Sequence, residues 1–285
     1  MLAAAAALWA LREGFARRRE RRFTLAHPLD ADGIMVGAKP YTLTGARPGA
    51  VLLLHGFNDS PQSMRLVADA LHAHGWTVRV PLLPGHGTRL EDWAKARAVD
   101  WENAAREELA SLQSTHAAVA VGGLSMGGAL AFVLAAEQPS VRAVIGFAPY
   151  LHASMPVLLL HFIAPVAALG AKYIPGGGSR SVHDPVASAA MIAYRASTPR
   201  LVVELEKIVA LARKGLSQVR QPVLVVQSRE DNRIPQRSAA EAFGRIGSSD
   251  KTMRWTTGNG HVVTVDYGHE EIERLVVEWL SQRLD

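Results

Sequence analysis

The sequence has no cysteine, which excludes disulfides, thiolate metal sites and a cysteine nucleophile together. Charge is sparse and unevenly placed. Only 20% of residues are charged, against 48% in the hydrophobic class, so the composition is neither that of a disordered chain nor that of a membrane protein. The formal charge of +5 does not point to nucleic acid, because residues 1–22 hold six arginines and two glutamates, a net of +4, and leave the remaining chain nearly neutral. Apolar runs of spanning length are also missing. Leu2 to Leu11 is about half the length of a spanning helix, and its arginines follow it where a secretory signal carries them in front. A cytoplasmic protein is therefore expected, with residues 1–22 as an extension. The functional alternative for that extension is a basic amphipathic helix in peripheral contact with an anionic membrane, Arg17 to Arg22 meeting headgroups while Leu8, Trp9 and Leu11 dip below them.

What is present is an alternation of strand-length apolar runs with segments of helical period, which predicts a single domain over 23–285 of α/β class, a mostly parallel sheet flanked by helices. Strands are expected at Val51 to His55, Thr77 to Leu82, Ala117 to Val121, Val141 to Phe147, Val223 to Gln227 and Thr252 to Thr256. Helices are expected from Pro61, at Trp101 to Ser114, Ser125 to Gln138, Pro199 to Lys214, from Pro235 and from Glu270. Between about residues 150 and 200 the rhythm breaks into an insertion, read as a small apolar cap. The stretch from Met155 to Leu169 within it contains His161 and Pro165, and is expected as a partly buried cap helix whose inner face would form an acyl-binding surface.

Gly123-Leu124-Ser125-Met126-Gly127 matches Gly-X-Ser-X-Gly, a sharp strand-to-helix turn that exposes a nucleophilic serine. Side chains at the two glycine positions would collide with the neighbouring strand or helix. The pattern arises by chance in about one chain of this length in ten, but here it follows an apolar strand and precedes a helix. A serine nucleophile needs a base and an orienting acid, which follow it in this order as acid and then histidine. Of the two histidines after the insertion, His261 lies in a glycine-rich loop behind a strand, whereas His269 opens the last helix. The acid is expected in Ser228-Arg229-Glu230-Asp231-Asn232, with Asp231 preferred over Glu230; either could instead pair with Arg229 or Arg233. Backbone N–H groups of Met126 and Phe57 are the candidate oxyanion donors, and His55 is expected to orient their loop.

Together His55-Gly56-Phe57, Leu83-Pro84-Gly85-His86-Gly87, Gly123 to Gly128, Arg229-Glu230-Asp231 and Gly260 to Asp266 resemble the bacterial carboxylesterase and monoacylglycerol lipase family of the α/β-hydrolase superfamily. The resemblance runs from about Pro40 to the C-terminus and leaves residues 1–22 without a counterpart. It implies the α/β-hydrolase fold, a Ser125, Asp231 and His261 triad, and hydrolysis of short-to-medium-chain esters or monoacylglycerols without cofactor or metal. The partner so implied is a small-molecule ester. Thioester, amide or carbon-carbon bond hydrolysis remains open on the same constellation, as does a non-catalytic ligand receptor on the same fold.

Overall fold

The computed structural model describes residues 2–152, 157–176 and 181–284. It opens with a 25-residue helix, α1 (Leu2–Ala26), longer by four residues at its C-terminal end than the expected extension. The alternating body follows: β1 (Tyr41–Leu43), β2 (Gly49–Leu54), α2 (Arg65–Ala73), β3 (Thr77–Val80), α3 (Leu90–Trp93), α4 (Ala98–Gln113), β4 (Ala118–Leu124), α5 (Met126–Glu137) and β5 (Val144–Phe147). The cap contributes α6 (Val157–Gly170), β6 (Ile174–Pro175), α7 (Pro185–Ala190) and β7 (Ala196–Ser197). The chain then closes through α8 (Pro199–Gly215), β8 (Val223–Ser228), α9 (Gln236–Gly244), β9 (Lys251–Thr256) and α10 (His269–Leu284).

Seven strands form one sheet in the order β1-β3-β2-β4-β5-β8-β9, all neighbours parallel except the edge pair β1 and β3. The expected mostly parallel sheet flanked by helices is therefore present. Its interior strands are buried on both faces, which is why they read as unbroken apolar runs. In β2 the period of two sorts the residues: Leu52 and Leu54 join one core with Trp101, Leu130 and Ile208, while Val51 and Leu53 join the other with Val67, Leu71, Val276 and Leu280. Helix α5 is apolar on every side because it lies between the sheet and α8. Helix α8 is started by Pro199 and by Thr198, whose hydroxyl accepts the Leu201 N–H at 3.1 Å.

Several boundaries differ from expectation for local reasons. The segment from Pro61 begins as a 3-10 turn, Pro61–Met64, before α2. Strand β4 continues beyond Val121 through Gly122 and Gly123, paired with β2 up to Leu54 and Gly123. The two glycines interrupt the apolar pattern but not the ladder; a Cβ on Gly122 would press tightly on a Leu53 methyl at 3.1 Å, and at Gly123 backbone atoms leave no room for one. A Cβ on Gly123 would stand 2.3 Å from the Gly127 carbonyl carbon. The short antiparallel strand β1 gives too brief an apolar signal to be seen in sequence.

The cap helix is partly buried, as expected, and it is its acyl-binding role that requires a correction. Among the described residues, α6 buries Leu160 and Ala164 against Val203 of α8 but leaves Leu159, Phe162, Ile163, Val166 and Leu169 exposed. Met155 lies outside the described residues.

At Gly127 an added Cβ would lie 2.1 Å from the Leu54 carbonyl oxygen, a backbone atom that cannot swing aside. Gly127→Ala is expected to lower stability by about 3 kcal/mol in urea unfolding, whereas Gly170→Ala, which meets nothing within 4 Å, should change it by less than about 0.5 kcal/mol. Equal effects would contradict the packing argument.

Candidate active site

The end of β4 delivers Ser125 into a turn no ordinary residue prefers, with φ 54° and ψ −111°. Three backbone hydrogen bonds hold it there: Ser125 N–H to the Phe147 carbonyl at 2.9 Å, and its own carbonyl accepting Ala129 N–H at 2.9 Å and Tyr150 N–H at 3.0 Å. Strain of this kind persists only where surrounding structure over-determines it. The next residue, Met126, is the first of α5, so its N–H has no acceptor within the helix and sits at the positive end of the helix dipole.

The acid and base come from the two loops that follow β8 and β9. His261 Nδ1 is 2.8 Å from Asp231 Oδ2. The same Asp231 oxygen accepts Gln227 Nε2 at 2.7 Å, and Oδ1 accepts the backbone N–H groups of Arg233 at 2.7 Å and Ile234 at 3.0 Å. Burial alone would raise the Asp231 carboxyl, but these bonds, led by that from His261, hold it below its ordinary value. The charged carboxylate therefore requires Nδ1 of His261 to carry the proton, leaving Nε2 as the basic atom. The rival residues have other tasks. Glu230 Oε1 accepts the Gly258 N–H at 2.9 Å and braces the histidine loop. His269 opens α10 with Nδ1 2.7 Å from Glu273. Asp231 bonds the Arg233 backbone rather than its guanidinium, so the simple loop ion pair is not what forms.

Ser125 and His261 line one cavity of about 390 Å³. Gly56 and Phe57 form part of its wall, and the cap supplies Val182, Met191 and Tyr194. Helix α6 contributes no lining residue among those described, so the expected acyl-binding face on it is replaced by the segment 181–195 and by Leu205 of α8. The reason is the orientation of α6: its buried side meets α8 and its other side faces outward.

His55 is fully buried beside the loop it was expected to orient. Its Nε2 accepts the Leu83 N–H at 3.1 Å and its Nδ1 lies 3.0 Å from the Gly56 carbonyl, which defines a neutral ring with the proton on Nδ1. Burial pushes its pKa down to about 4, despite the Gly56 bond.

Two further carboxylates organise the site, and sequence pattern alone did not single out their roles. Asp266 is completely buried; Oδ2 accepts Gly260 and His183 N–H at 2.7 and 2.8 Å, and Oδ1 accepts Asp184 and Tyr267 N–H, both at 2.8 Å. It ties the histidine loop to the cap. Its place in the Gly260 to Asp266 motif was the available signal. Asp59 lines the cavity; its Oδ2 accepts the Ser63 hydroxyl at 2.6 Å and the Gly56 N–H at 3.2 Å, while Oδ1 is buried without a hydrogen-bond partner. No cluster of His, Asp or Glu suited to a metal ion occurs among the described residues.

A strained serine elbow at the end of a central parallel strand, with a hydrogen-bonded Asp–His pair arriving from the last two strand ends, defines a serine hydrolase of the α/β-hydrolase superfamily. Residues 45–267 match the Hydrolase_4 family, described as serine aminopeptidase, S33, and the chain belongs to that family. It is 29% identical over 255 residues to a thermostable monoacylglycerol lipase of Bacillus sp. (strain H-257), covering 87% of this chain and 96% of the relative. A carboxylesterase of Bacillus subtilis (strain 168) is 25% identical, covering 87% and 98%. Among solved structures, one of the metagenome-derived lipolytic enzymes LipS and LipT superposes with a TM-score of 0.78 at 31% identity, covering 86% of this chain and 98% of that one. The chain is an ester hydrolase by family and kinship.

Asp59 gives a pH-dependent prediction. Burial pushes its pKa up to about 6 from 3.8, the bonds from Ser63, Ser60 and Gly56 only partly opposing this. The folded chain thus retains a proton that the unfolded chain releases, and stability falls as pH rises through that window. Asp59→Asn mimics the protonated form. It should be more stabilising at about pH 7.5 than at about pH 4.5 by on the order of 2 kcal/mol, measured by urea unfolding; a pH-independent difference would contradict the assignment.

Proposed function

We propose that the chain hydrolyses short-to-medium-chain carboxylic esters or monoacylglycerols through an acyl-enzyme on Ser125. In this reading His261 takes the serine proton at Nε2, Asp231 fixes its tautomer and stabilises the imidazolium, and the Phe57 and Met126 N–H groups receive the oxyanion. The alcohol leaves with the proton from His261, and water repeats the sequence to release the acid. The observation that carries the reading is the convergence of strained Ser125 and the Asp231-paired His261 on one cavity. The catalytic unit is residues 23–285, with the cap drawn from about residues 150–200. We place the protein in the cytoplasm, with residues 1–22 at a membrane surface.

The family description includes peptidases that act at an amino terminus, and the cavity speaks against such a substrate. Among the described residues its only acidic lining residue is Asp59, which is buried and already engaged by Ser63 and Gly56, while its cations are Arg195 and Arg233. A substrate ammonium would meet two guanidiniums and a carboxyl that burial keeps largely protonated in mild acid. The volume of about 390 Å³ suits a compact acyl group at the small end of ligand pockets.

A series of p-nitrophenyl esters from acetate to palmitate, run beside monoacylglycerols, thioesters and amino-acid p-nitroanilides, tests this reading. Ser125→Ala should lower kcat by at least about 10³-fold, given that loss of the nucleophile in comparable triads is larger still. It should also abolish fluorophosphonate labelling while unfolding like the parent. Rates should be highest on short or medium acyl esters. Turnover of anilides above esters, or activity retained in Ser125→Ala, would overturn the proposal.

A further inference from the structure

Helix α1 lies outside the family match, which begins at residue 45. It is nevertheless fastened to the cap along one side. Ala16 and Glu20 are buried, and Glu20 Oε1 accepts the Tyr173 hydroxyl at 2.5 Å and Lys172 Nζ at 2.7 Å. Arg12 Nε donates to the Ala168 carbonyl near the end of α6 at 2.8 Å, Arg19 donates to the Arg195 carbonyl at 3.3 Å, and Phe23 stacks on Tyr194, 5.2 Å between centroids. Arg195 and Tyr194 line the cavity, so α1 runs from the cavity's rim to the tip of α6.

The other side of α1 is free. At 100° per residue, Arg18, Arg21 and Arg22 fall on the half turned away from Ala16 and Glu20, and Arg17 lies at its edge, about 60° around the helix from Glu20 and within coulombic reach of it. All four are exposed, and none makes a hydrogen bond or ion pair among the described residues. Trp9, Leu11 and Phe15 precede them and are 60 to 70% exposed. Polarity is thus segregated along α1 rather than around it, which corrects the expectation of an amphipathic helix. Trp9 shares the azimuth of Glu20 yet is exposed, so α1 projects past the body there. Beside that projecting end lies α6, held by the Arg12 bond, with Phe162, Val166 and Leu169 open to solvent at 67 to 79%.

We propose that the exposed faces of α1 and α6 form one docking surface for an anionic lipid bilayer, the apolar residues entering the interface while Arg17, Arg18, Arg21 and Arg22 meet headgroup phosphates. Charge complementarity selects this occupant. A second copy of the chain in a two-fold contact would set the same four arginines against themselves, whereas an anionic surface neutralises all of them. Docking through α1 and α6 would hold the cap, and the cavity rim at Arg195, close to lipid.

Co-sedimentation of the full chain with vesicles tests this, using phosphatidylcholine alone and phosphatidylcholine with about one-third phosphatidylglycerol. The parent should bind the anionic vesicles preferentially and be released by salt. Arg17, Arg18, Arg21 and Arg22 changed together to Gln should weaken binding at least tenfold, and so should Phe162→Ser with Val166→Ser. Hydrolysis of soluble p-nitrophenyl butyrate should be unchanged in both variants, which reports intact folding. Failure of the parent to bind, equal binding to both vesicles, an unaffected variant, or a dimer in size-exclusion chromatography that the Phe162 and Val166 changes dissociate would each overturn the proposal. Binding is read without turnover, so this outcome is independent of whether the ester-hydrolase reading stands.

Discussion

The arrangement around Ser125 depends on how closely α5 can approach the sheet. Gly127 sits where any side chain would press on the Leu54 carbonyl, and Gly123 sits where one would press on Gly127. Their bareness lets the chain reverse within one residue from β4 into α5, and the reversal leaves Ser125 at φ 54° with its side chain at the cavity. The strain is held by main-chain hydrogen bonds to Phe147, Ala129 and Tyr150, which belong to three different segments. The all-apolar character of α5 follows from the same closeness, since a helix pressed between sheet and α8 has no face left for water.

A second layer of order comes from buried carboxylates bonding to backbone N–H groups. Asp231 holds its own loop and His261; Asp266 joins the His261 loop to the start of α7; Asp59 steadies Gly56 beside Phe57. In each case an anion or a buried carboxyl replaces regular secondary structure as the partner for loop backbone. These loops leave the same end of the parallel sheet, so three short-range networks define one cavity wall. The cap then closes over it through Val182, Met191 and Tyr194, while α6, the most apolar cap segment, turns outward instead.

Much of this was legible from residue patterns. Buried parallel strands announce themselves as apolar runs, and the elbow, the Asp231 loop and the Gly260 to His261 loop each follow such a run in the order that the fold demands. Short elements were not legible: β1 has three residues, α3 four, and neither spans enough of a period to stand above composition. The paired glycines of β4 suggested an early strand end, because their requirement comes from atoms in other segments.

Local sequence by itself determined the alternating architecture, the place of Ser125 on a strand-to-helix turn and the concentration of positive charge before residue 23, since all three follow from periodicity, glycine sterics and composition. Tertiary structure supplied the reason that Asp231, already preferred in the sequence over its neighbour Glu230, meets His261, because only loop geometry turns one of the two inward. It also decided that α6 faces solvent and that α1 lies along the cap. An apolar stretch records that it avoids water in some setting, but whether the covering surface is the protein's own core or something outside it depends on the direction in which packing turns each face.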